Sequence, residues 1–392
     1  MESSKLKKQV NRDVDWLELL DDIVHQIVDK LINYKDYVYF GVVCKKWRSI
    51  YTQGIQSHLL CRERQFPMLL LPSEINQEGQ TRCLYNVVEK RVCRPRMQLS
   101  HTRRCIGSSH GWLVIVCENY DVYLHNPFLL SPGNDIQLPS SISFKRDDGY
   151  VDELLRVILS DNPTLNPTSF IVMAIYSGSC HLAFCKPGDE VWTLLDGMMY
   201  NAIDGALYYR EQFYIIRFQG VLFTWDLNFH SPMLSEVLSG VEIGEFCGFH
   251  AKYLVELSGG LFLIKRFRAH KGSDPLSLNY QTVGFRVLKL NLDEHKVTEV
   301  KSLDGYAVFV GNNSSFSIRA SEFFGCKPNC IYFTDDYFEG YIDVEIDGIG
   351  PQDFGVFSLD DGSIEPYYPM ESDMINPAPV WVEPTLQALY NN

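Results

Sequence analysis

From about Phe66 onward, the apolar residues of this sequence come in short runs instead of helical periods. The runs are rich in β-branched and aromatic residues, and glycine, proline, asparagine or aspartate bounds them, as is typical of β-strands. Examples are FPMLLLP at 66–72, GWLVIV at 111–116 and FIVMAIY at 170–176. No alternation of strand and helix patterns is visible, which argues against a parallel α/β sheet. The fold is therefore predicted to be mainly β, with a small α module at the N-terminus.

Pairs of residues that tolerate positive φ mark candidate hairpin turns between these runs. The candidates are Asp204-Gly205, Gly259-Gly260, Asp304-Gly305 and Asp361-Gly362. Pairs of strands joined in this way recur in units that start roughly 30–50 residues apart, the period of β-propeller blades. About 325 residues at roughly 40–50 per blade predict six or seven blades. A β-sandwich is the competing architecture.

A propeller also needs its ring to be closed. Residues 66–72 and the segment Ala378–Leu386 both read as strands and lie near opposite ends of the β region. We expect them to pair in one blade. Radial repetition of this kind leaves few exposed sheet edges, which suits a chain with so much β-structure.

The segment Asp15–Gln53 has a different period. Its first part carries apolar residues at three- and four-residue spacing, which predicts an amphipathic helix. These residues are Trp16, Leu19, Leu20, Ile23, Val24, Ile27, Val28, Leu31 and Ile32. A second helix is predicted to carry Tyr37, Phe40, Val43, Cys44, Trp47 and Ile50 on one side. About forty residues is below the size that usually folds alone, so we expect another protein surface to cover the apolar face.

This N-terminal pattern resembles an F-box, the motif that docks a protein onto the Skp-family adaptor of a cullin-based ubiquitin ligase. The resemblance rests on WLEL at 16–19, on the spacing of Ile23, Ile27 and Leu31, and on VVCKKWR at 42–48. Leu20 stands where the family usually has proline, which loosens the start of the helix. The residues that the resemblance assigns to adaptor binding are Trp16, Leu19, Leu20, Ile23, Ile27, Leu31, Val42, Val43, Cys44 and Trp47. The alternative is a helical hairpin that only packs on the following domain.

The β region is similar to the propeller-type domain of unknown function in a large group of plant F-box proteins (the SKIP-like or kelch-like group). The matching segments include HNPFLLSPGNDIQLPS at 125–140, KPGDEVWT at 186–193 and most of 309–369. The resemblance implies the substrate-recognition subunit of an SCF ubiquitin ligase. Its partners would be a Skp-family adaptor, a cullin through that adaptor, and an unknown protein substrate. The alternative is a small-ligand-binding, glycan-binding or enzymatic propeller with a helical dimerisation segment.

Composition narrows the classes of partner. Lysine plus arginine number 35 against 49 aspartates and glutamates, a formal net charge of −14. Such a chain supplies no favourable long-range field for nucleic acid or an anionic membrane. A local basic group at Arg91, Arg94, Arg96, Arg103 and Arg104 is interpreted as solvated surface. Neither a secretory signal nor an apolar run of membrane-spanning length is visible, so we expect the nucleus, the cytoplasm or both.

Candidate catalytic chemistry is sparse in the β region. The adjacent carboxylates Asp335-Asp336 and Asp360-Asp361 are interpreted as turn and capping residues. Ser108 and His110 belong to no nucleophile motif. The eleven cysteines are scattered and include no zinc spacing, so they are expected to be reduced thiols. We therefore expect a non-catalytic adaptor without metal or cofactor, in which aromatic residues fill the layers between blades.

The domain boundaries follow from these patterns. Residues 1–12 are predicted to be disordered, 13–53 to form the F-box and 54–64 to form a connector. Residues 65–392 are predicted to form the substrate-recruiting propeller.

Overall fold

A computed structural model of the 392-residue chain divides into two compact units, Met1–Gln65 and Phe66–Asn392. The structure describes residues 16, 19–28, 40–50, 66–71, 82–93, 103–129, 134–177, 181–195, 202–217, 220–226, 233–239, 250–270, 280–336, 353–367 and 379–384. The predicted disordered N-terminus (1–12) and connector (54–64) lie outside the described residues. The described helices are too short and too polar to cross a membrane.

The first unit is helical where it is described. Helix α1 spans Asp21–Val28, and residues 40–43 and 45–50 are also helical. In α1, Val24 and Val28 are buried, at the four-residue spacing that places them on one face. The second unit consists of β-strands, with short 3-10 turns at Ser141–Phe144 and Ala320–Glu322.

The described strands of the second unit form six sheets, one for each blade of a propeller. Blade 1 contains β1 (Met68–Leu71), β2 (Cys83–Asn86), β3 (Arg91–Cys93) and the last strand, β25 (Val380–Val382). Blade 2 contains β4 (Arg103–Ser109), β5 (Trp112–Cys117), β6 (Val122–His125) and β7 (Asp135–Leu138). Blade 3 contains β8 (Leu154–Leu159), β9 (Val172–Tyr176), β10 (His181–Cys185) and β11 (Thr193–Leu194).

The other three blades follow in chain order. Blade 4 contains β12 (Ile203–Tyr209), β13 (Gln212–Arg217), β14 (Leu222–Asp226) and β15 (Met233–Leu238). Blade 5 contains β16 (His250–Leu257), β17 (Gly260–His270), β18 (Tyr280–Asn291) and β19 (Lys296–Val300). Blade 6 contains β20 (Tyr306–Val310), β21 (Phe316–Arg319), β22 (Cys330–Phe333), β23 (Gly355–Ser358) and β24 (Ile364–Glu365).

The ring closes in blade 1, where the first and last strands of the propeller pair. Strand β1 is antiparallel to β25, with Leu69 opposite Trp381. This confirms the predicted pairing of residues 66–72 with the C-terminal segment. The innermost strands β25, β4, β8, β12, β16 and β21 follow one another around the centre. The prediction of six or seven blades resolves to six, and the β-sandwich alternative is wrong.

Blade 6 departs from the plan of the other five. Its strand order is β21-β20-β22-β23-β24, and β20 pairs with β22 in parallel. The hairpin between β20 and β21 lies near the centre of the ring. There, the backbone N–H of Ser314 donates to the carbonyl of Ser108 in β4 at 2.7 Å. A Cβ on Gly107 would meet the carbonyl oxygen of Asn312 at 2.4 Å, so only glycine permits this approach.

Apolar clusters fill all six boundaries between neighbouring blades. Trp112 lies between blades 2 and 3, Trp225 between blades 3 and 4, and Trp381 between blades 6 and 1. All three are fully buried. Full burial of one large apolar side chain stabilises a fold by about 1.5–3 kcal/mol, so the boundaries hold the ring together. The prediction that aromatic residues fill the layers between blades is confirmed.

Polar contacts between neighbouring blades repeat with the blade period. The Trp112 indole donates to Asn162, and the Tyr209 hydroxyl donates to the carbonyl of Gly259, each across 50 residues. The spacing lies at the upper end of the range expected from the sequence.

One predicted turn is wrong. Asp204-Gly205 lies inside β12 and not in a hairpin. A Cβ on Gly205 would meet the Lys252 carbonyl oxygen at 2.8 Å, so glycine serves here to let β12 approach β16. Gly259 and Gly362 do occupy turns, both with positive φ.

Candidate functional site

Helix α1 begins directly after Leu20, where the resemblance to F-boxes predicted a loosened start. The carbonyl of Leu20 accepts hydrogen bonds from the backbone N–H groups of Ile23 and Val24, both at 3.0 Å. Asp21 and Asp22 occupy the first turn, where a helix favours negative charge. The helix therefore starts at this position without a proline.

The second helical stretch divides its apolar residues between two environments. Phe40, Trp47 and Ile50 are buried, and the rings of Phe40 and Trp47 stack with centroids 4.6 Å apart. Val42 and Val43 instead point to solvent, and Val42 is 72% exposed. Ring stacking of this kind fixes the helix, while the two valines stay available for contact.

Lys46 ties this second stretch to the start of α1. Its ammonium group donates to the Leu19 carbonyl and forms an ion pair with Asp21 at 2.9 Å. This contact joins the second helical stretch to the end of α1 that follows Leu20.

The structure sorts the predicted adaptor-binding residues into three groups. Those that expose a large apolar side chain are Trp16, Leu20, Ile23, Val42 and Val43, and we call them the docking face. Leu19, Ile27 and Cys44 are half-buried, and Trp47 is buried. Leu31 lies outside the described residues. Sequence periodicity could not separate the outward Val42 from the inward Trp47, because both lie in one continuous motif.

The docking face combines exposed apolar residues with exposed charged residues close in sequence. Leu20 is 73% exposed and is followed by the exposed Asp21 and Asp22, and Lys45 is exposed in the second helical stretch. Contiguous apolar surface rimmed by polar groups is typical of protein–protein contact sites. Covering one such side chain contributes roughly 1.5–3 kcal/mol. These exposed apolar side chains are therefore candidates for a contact with another protein.

A second unusual site lies in the propeller, at the boundary of blades 5 and 6, where charged side chains are buried. Arg266 of β17 is fully buried and donates to Asp336 at 3.2 Å and to Asp353 at 2.9 Å. The same guanidinium donates to the Thr334 carbonyl at 2.7 Å. Arg268 also pairs with Asp336.

The network is held in its charged form. Burial would raise the pKa of Asp336, but the guanidinium groups of Arg268 and Arg266 outweigh burial and lower the pKa below its usual value. The hydroxyl of Tyr253 also donates to Asp336, at 2.7 Å. A carboxylate with three donors and a lowered pKa is a poor proton acceptor, so the network joins two blades and offers no acid–base chemistry.

The structure corrects the interpretation of Asp335-Asp336 and agrees with that of Asp361. Asp335 accepts a hydrogen bond from Tyr280 and, at 3.2 Å, from the backbone of Asp353, so Asp335-Asp336 is not a capping pair. Asp361 does accept the backbone N–H of Ser363 in a turn, at 3.0 Å. The sequence signal that was missed is the pair of arginines in RFR at 266–268, which reads as strand surface.

The remaining candidates for chemistry are engaged in packing. Ser108 donates to the Trp381 carbonyl, and Ser109 accepts the backbone N–H of Leu159, so both serines link blades. Burial raises the pKa of Cys326 to about 12 and of Cys330 to about 11, so neither is a reactive thiolate. Within the described parts of the chain, no cluster of histidine, cysteine and carboxylate side chains could hold a metal ion.

Comparison with known protein families agrees with the propeller fold. The family model described as KIB1-4 beta-propeller matches residues 84–358. The chain belongs to the KIB1-4 beta-propeller family. The matched span runs from β2 in blade 1 to the end of β23 in blade 6, and the ring-closing strands β1 and β25 lie outside it.

Relatives of this KIB1-4 propeller protein extend the similarity into the helical unit. F-box protein At2g26160 of Arabidopsis thaliana is 23% identical over 82% of this chain and 96% of its own length. Putative F-box protein At5g55150 is 24% identical over 94% of this chain and 97% of its own length. F-box protein SKIP23 is 23% identical over 94% and 96%. The predicted resemblance to plant F-box proteins with a propeller domain is confirmed.

Proposed function

We propose that this protein is the substrate-recognition subunit of an SCF-type ubiquitin ligase. The docking face would bind a Skp-family adaptor and, through it, a cullin, while the propeller would bind a protein target. The observation that carries the proposal is the exposure of Leu20, Ile23, Val42 and Val43 in an F-box-like segment. The F-box names of the Arabidopsis relatives support it.

The proposed role needs no catalytic group on this chain. A tethered substrate meets the ubiquitin-charged enzyme at a high effective concentration, so proximity supplies the rate enhancement. The pairing of Asp336 with Arg266 and the raised pKa values of Cys326 and Cys330 fit a non-catalytic adaptor. No cofactor, nucleic acid or membrane enters the proposal.

The exposure pattern assigns different proposed roles to the residues of the F-box. Leu20 and the Val42-Val43 pair would contact the adaptor directly, while Trp47 would hold the second helix through its stacking on Phe40. Lys46 would fix the second helical stretch against the start of α1. We propose the nucleus, the cytoplasm or both as the compartment, because the buried thiols of Cys105, Cys185 and Cys330 are free, which is compatible with reducing conditions.

The experiment is co-purification of the full chain with a plant Skp-family adaptor and cullin, using V42D/V43D as the test variant. A buried carboxylate without a partner is strongly unfavourable, so we expect adaptor capture to fall at least tenfold. Trp47 is left unchanged, because replacing a buried residue would confuse loss of folding with loss of docking.

V191D provides the matched control, since Val191 lies in the propeller and is 65% exposed. We expect this variant to capture adaptor as the wild type does. Undiminished capture by V42D/V43D would overturn the docking assignment. Light scattering that shows a dimer which V42D/V43D dissolves would instead favour the alternative in which the helical segment serves dimerisation.

A further inference from the structure

One ammonium group of the second helical stretch holds the chain on both sides of Leu20. Lys46 donates to the carbonyl of Leu19 and forms an ion pair with Asp21 at 2.9 Å. These two residues are the chain neighbours of Leu20, which is the most exposed member of the docking face at 73%. We call the two contacts the Lys46 clamp. The clamp therefore fixes the backbone that carries the side chain of Leu20.

The start of α1 lacks a capping side chain of its own. The Leu20 carbonyl accepts the first hydrogen bonds of the helix, so Leu20 occupies the N-cap position. Favoured N-cap residues carry a side-chain oxygen that accepts a backbone N–H of the first turn, and leucine has none. The helix is only eight residues long, and helices of this length depend on tertiary contacts. The Lys46 clamp is such a contact at the first turn.

The clamp also explains a cation in an unfavourable place. Lys46 is the second residue of the helical stretch 45–50, and its ammonium group reaches the first turn of α1. The N-terminus of a helix carries a partial positive charge and favours anions. The carbonyl of Leu19 and the carboxylate of Asp21 supply the negative partners that Lys46 needs there. A cation at this position is therefore stabilised by the clamp and not by the helix ends.

The backbone that carries Lys46 is itself fixed. The thiol of Cys44 accepts the backbone N–H of Trp47 at 3.4 Å, and the carbonyl of Cys44 accepts that of Arg48 at 2.9 Å. Trp47 is buried and stacks on Phe40. Lys46 therefore extends from a rigid turn of helix, so its ammonium group can hold α1 in one position.

We propose that Lys46 is a positioning residue for adaptor docking, whose clamp replaces the missing N-cap side chain and sets the direction of Leu20 before the adaptor binds. This inference rests on the proposed function, since it concerns how the same docking face is prepared. A binding face that is correctly arranged for only a fraction of the time loses affinity in proportion to that fraction. Release of the clamp should thus weaken docking without removing a contact to the adaptor.

The test measures two properties of the full chain. The first is hydrogen exchange of the Ile23 and Val24 amides in the absence of adaptor, and the second is the dissociation constant for a plant Skp-family adaptor. K46M should accelerate the exchange and weaken the binding by about two- to fivefold each, the range expected of a partly exposed ion pair. K45M removes the neighbouring exposed lysine and should change both by less than about 1.5-fold, since Lys45 is not part of the clamp.

Substitutions of Leu20 separate positioning from general stabilisation. L20A and L20S both remove the leucine side chain, but only serine supplies an oxygen that can cap the helix. In the L20A background, K46M should still accelerate exchange by about two- to fivefold, whereas in the L20S background the acceleration should fall below about 1.5-fold. Adaptor affinity in the L20A background should change by less than about 1.5-fold on adding K46M, because no Leu20 side chain remains to be positioned.

Four results would overturn the inference. These are unchanged amide exchange in K46M, equal effects of K46M and K45M, an undiminished effect of K46M on exchange in the L20S background, and equal losses of affinity on adding K46M to the wild type and to L20A. Adaptor capture by V42D/V43D is measured separately. Undiminished capture there would refute the docking assignment, whereas the four results above would refute only the clamp.

Discussion

The two units of this protein place side chains in opposite environments. The helical unit leaves large apolar residues in water, with Leu20 at 73% exposure, whereas the propeller buries charges, with Arg266 at 0%. Each arrangement is unfavourable for the isolated side chain. In the propeller, the cost is offset within the chain, because Asp336 and Asp353 meet Arg266. In the helical unit, no described residue covers the docking face, and the partner protein proposed above would do so.

The largest expected effect lies on the propeller side. R266M would leave Asp336 and Asp353 buried with less compensation, and removing one partner of a buried ion pair typically costs about 3–5 kcal/mol. Denaturant unfolding of the full chain measures the change. R319M, at an exposed arginine, should alter stability by no more than about 0.5 kcal/mol. A wild-type unfolding curve for R266M would show that the network contributes no stability.

The next largest effect is expected in the helical unit, where L20A should change adaptor affinity but not the free energy of unfolding. L20A removes an exposed side chain, so the free energy of unfolding should change by less than about 0.5 kcal/mol. Adaptor affinity should fall roughly tenfold or more, since about 1.5–3 kcal/mol of burial in the complex is lost. Isothermal titration with a Skp-family adaptor measures it.

The control for Leu20 is L165A, because Leu165 is an exposed leucine of the propeller. It should leave both stability and adaptor affinity unchanged. If L20A unfolds the protein as a core substitution would, the docking face is part of the fold and not a contact surface.

The pH dependence of the unfolding free energy tests the buried charges of the propeller. The folded pKa of Asp336 lies below that of an unfolded aspartate, about 3.9, so its contribution is present above that pH. The contribution is lost as the pH falls through the folded pKa. Between pH 6 and pH 3, the unfolding free energy of the wild type should therefore decrease more than that of D336N. D148N, at an exposed aspartate, should follow the wild type, and parallel curves for wild type and D336N would refute the lowered pKa.

The smallest effect concerns Lys46, which joins two helical segments through the Leu19 carbonyl and Asp21. Partly exposed ion pairs contribute about 0.2–1 kcal/mol, so K46M should weaken adaptor binding by no more than about fivefold. The exposed Lys45 offers the matched control, and K45M should bind as the wild type does. Equal losses in both variants would indicate general attraction by positive charge, with no specific role for Lys46.

Much of the architecture was predictable because its signals are local. Short β-branched and aromatic runs predicted antiparallel strands, and residues 66–72 were correctly matched to the C-terminal strand. The number of blades was not fixed, because weak repeats leave the strand count uncertain. The turn at Asp204-Gly205 was predicted wrongly, since glycine at a close backbone approach carries the same sequence signal as glycine in a turn.

For the docking face, helical period identified the apolar residues but not their environments. Val42 and Trp47 belong to one motif, yet one is exposed and the other stacks on Phe40. The burial of charged side chains in the propeller was not predicted from the sequence. Arginine in a strand is normally read as solvent-facing, because a buried arginine requires partners that the local sequence does not show.

By itself, the sequence determined the order of the elements: an amphipathic helical segment, then a series of short antiparallel strands with turn residues between them. These properties depend on neighbours a few positions apart. The tertiary structure decided which residues face water. Arg266 can be buried only because Asp336 and Asp353 return from 70 and 87 residues away to meet it. Leu20 and Val42 are left exposed because no described residue returns to cover them, and this difference in long-range contacts separates the part that holds itself together from the part suited to bind.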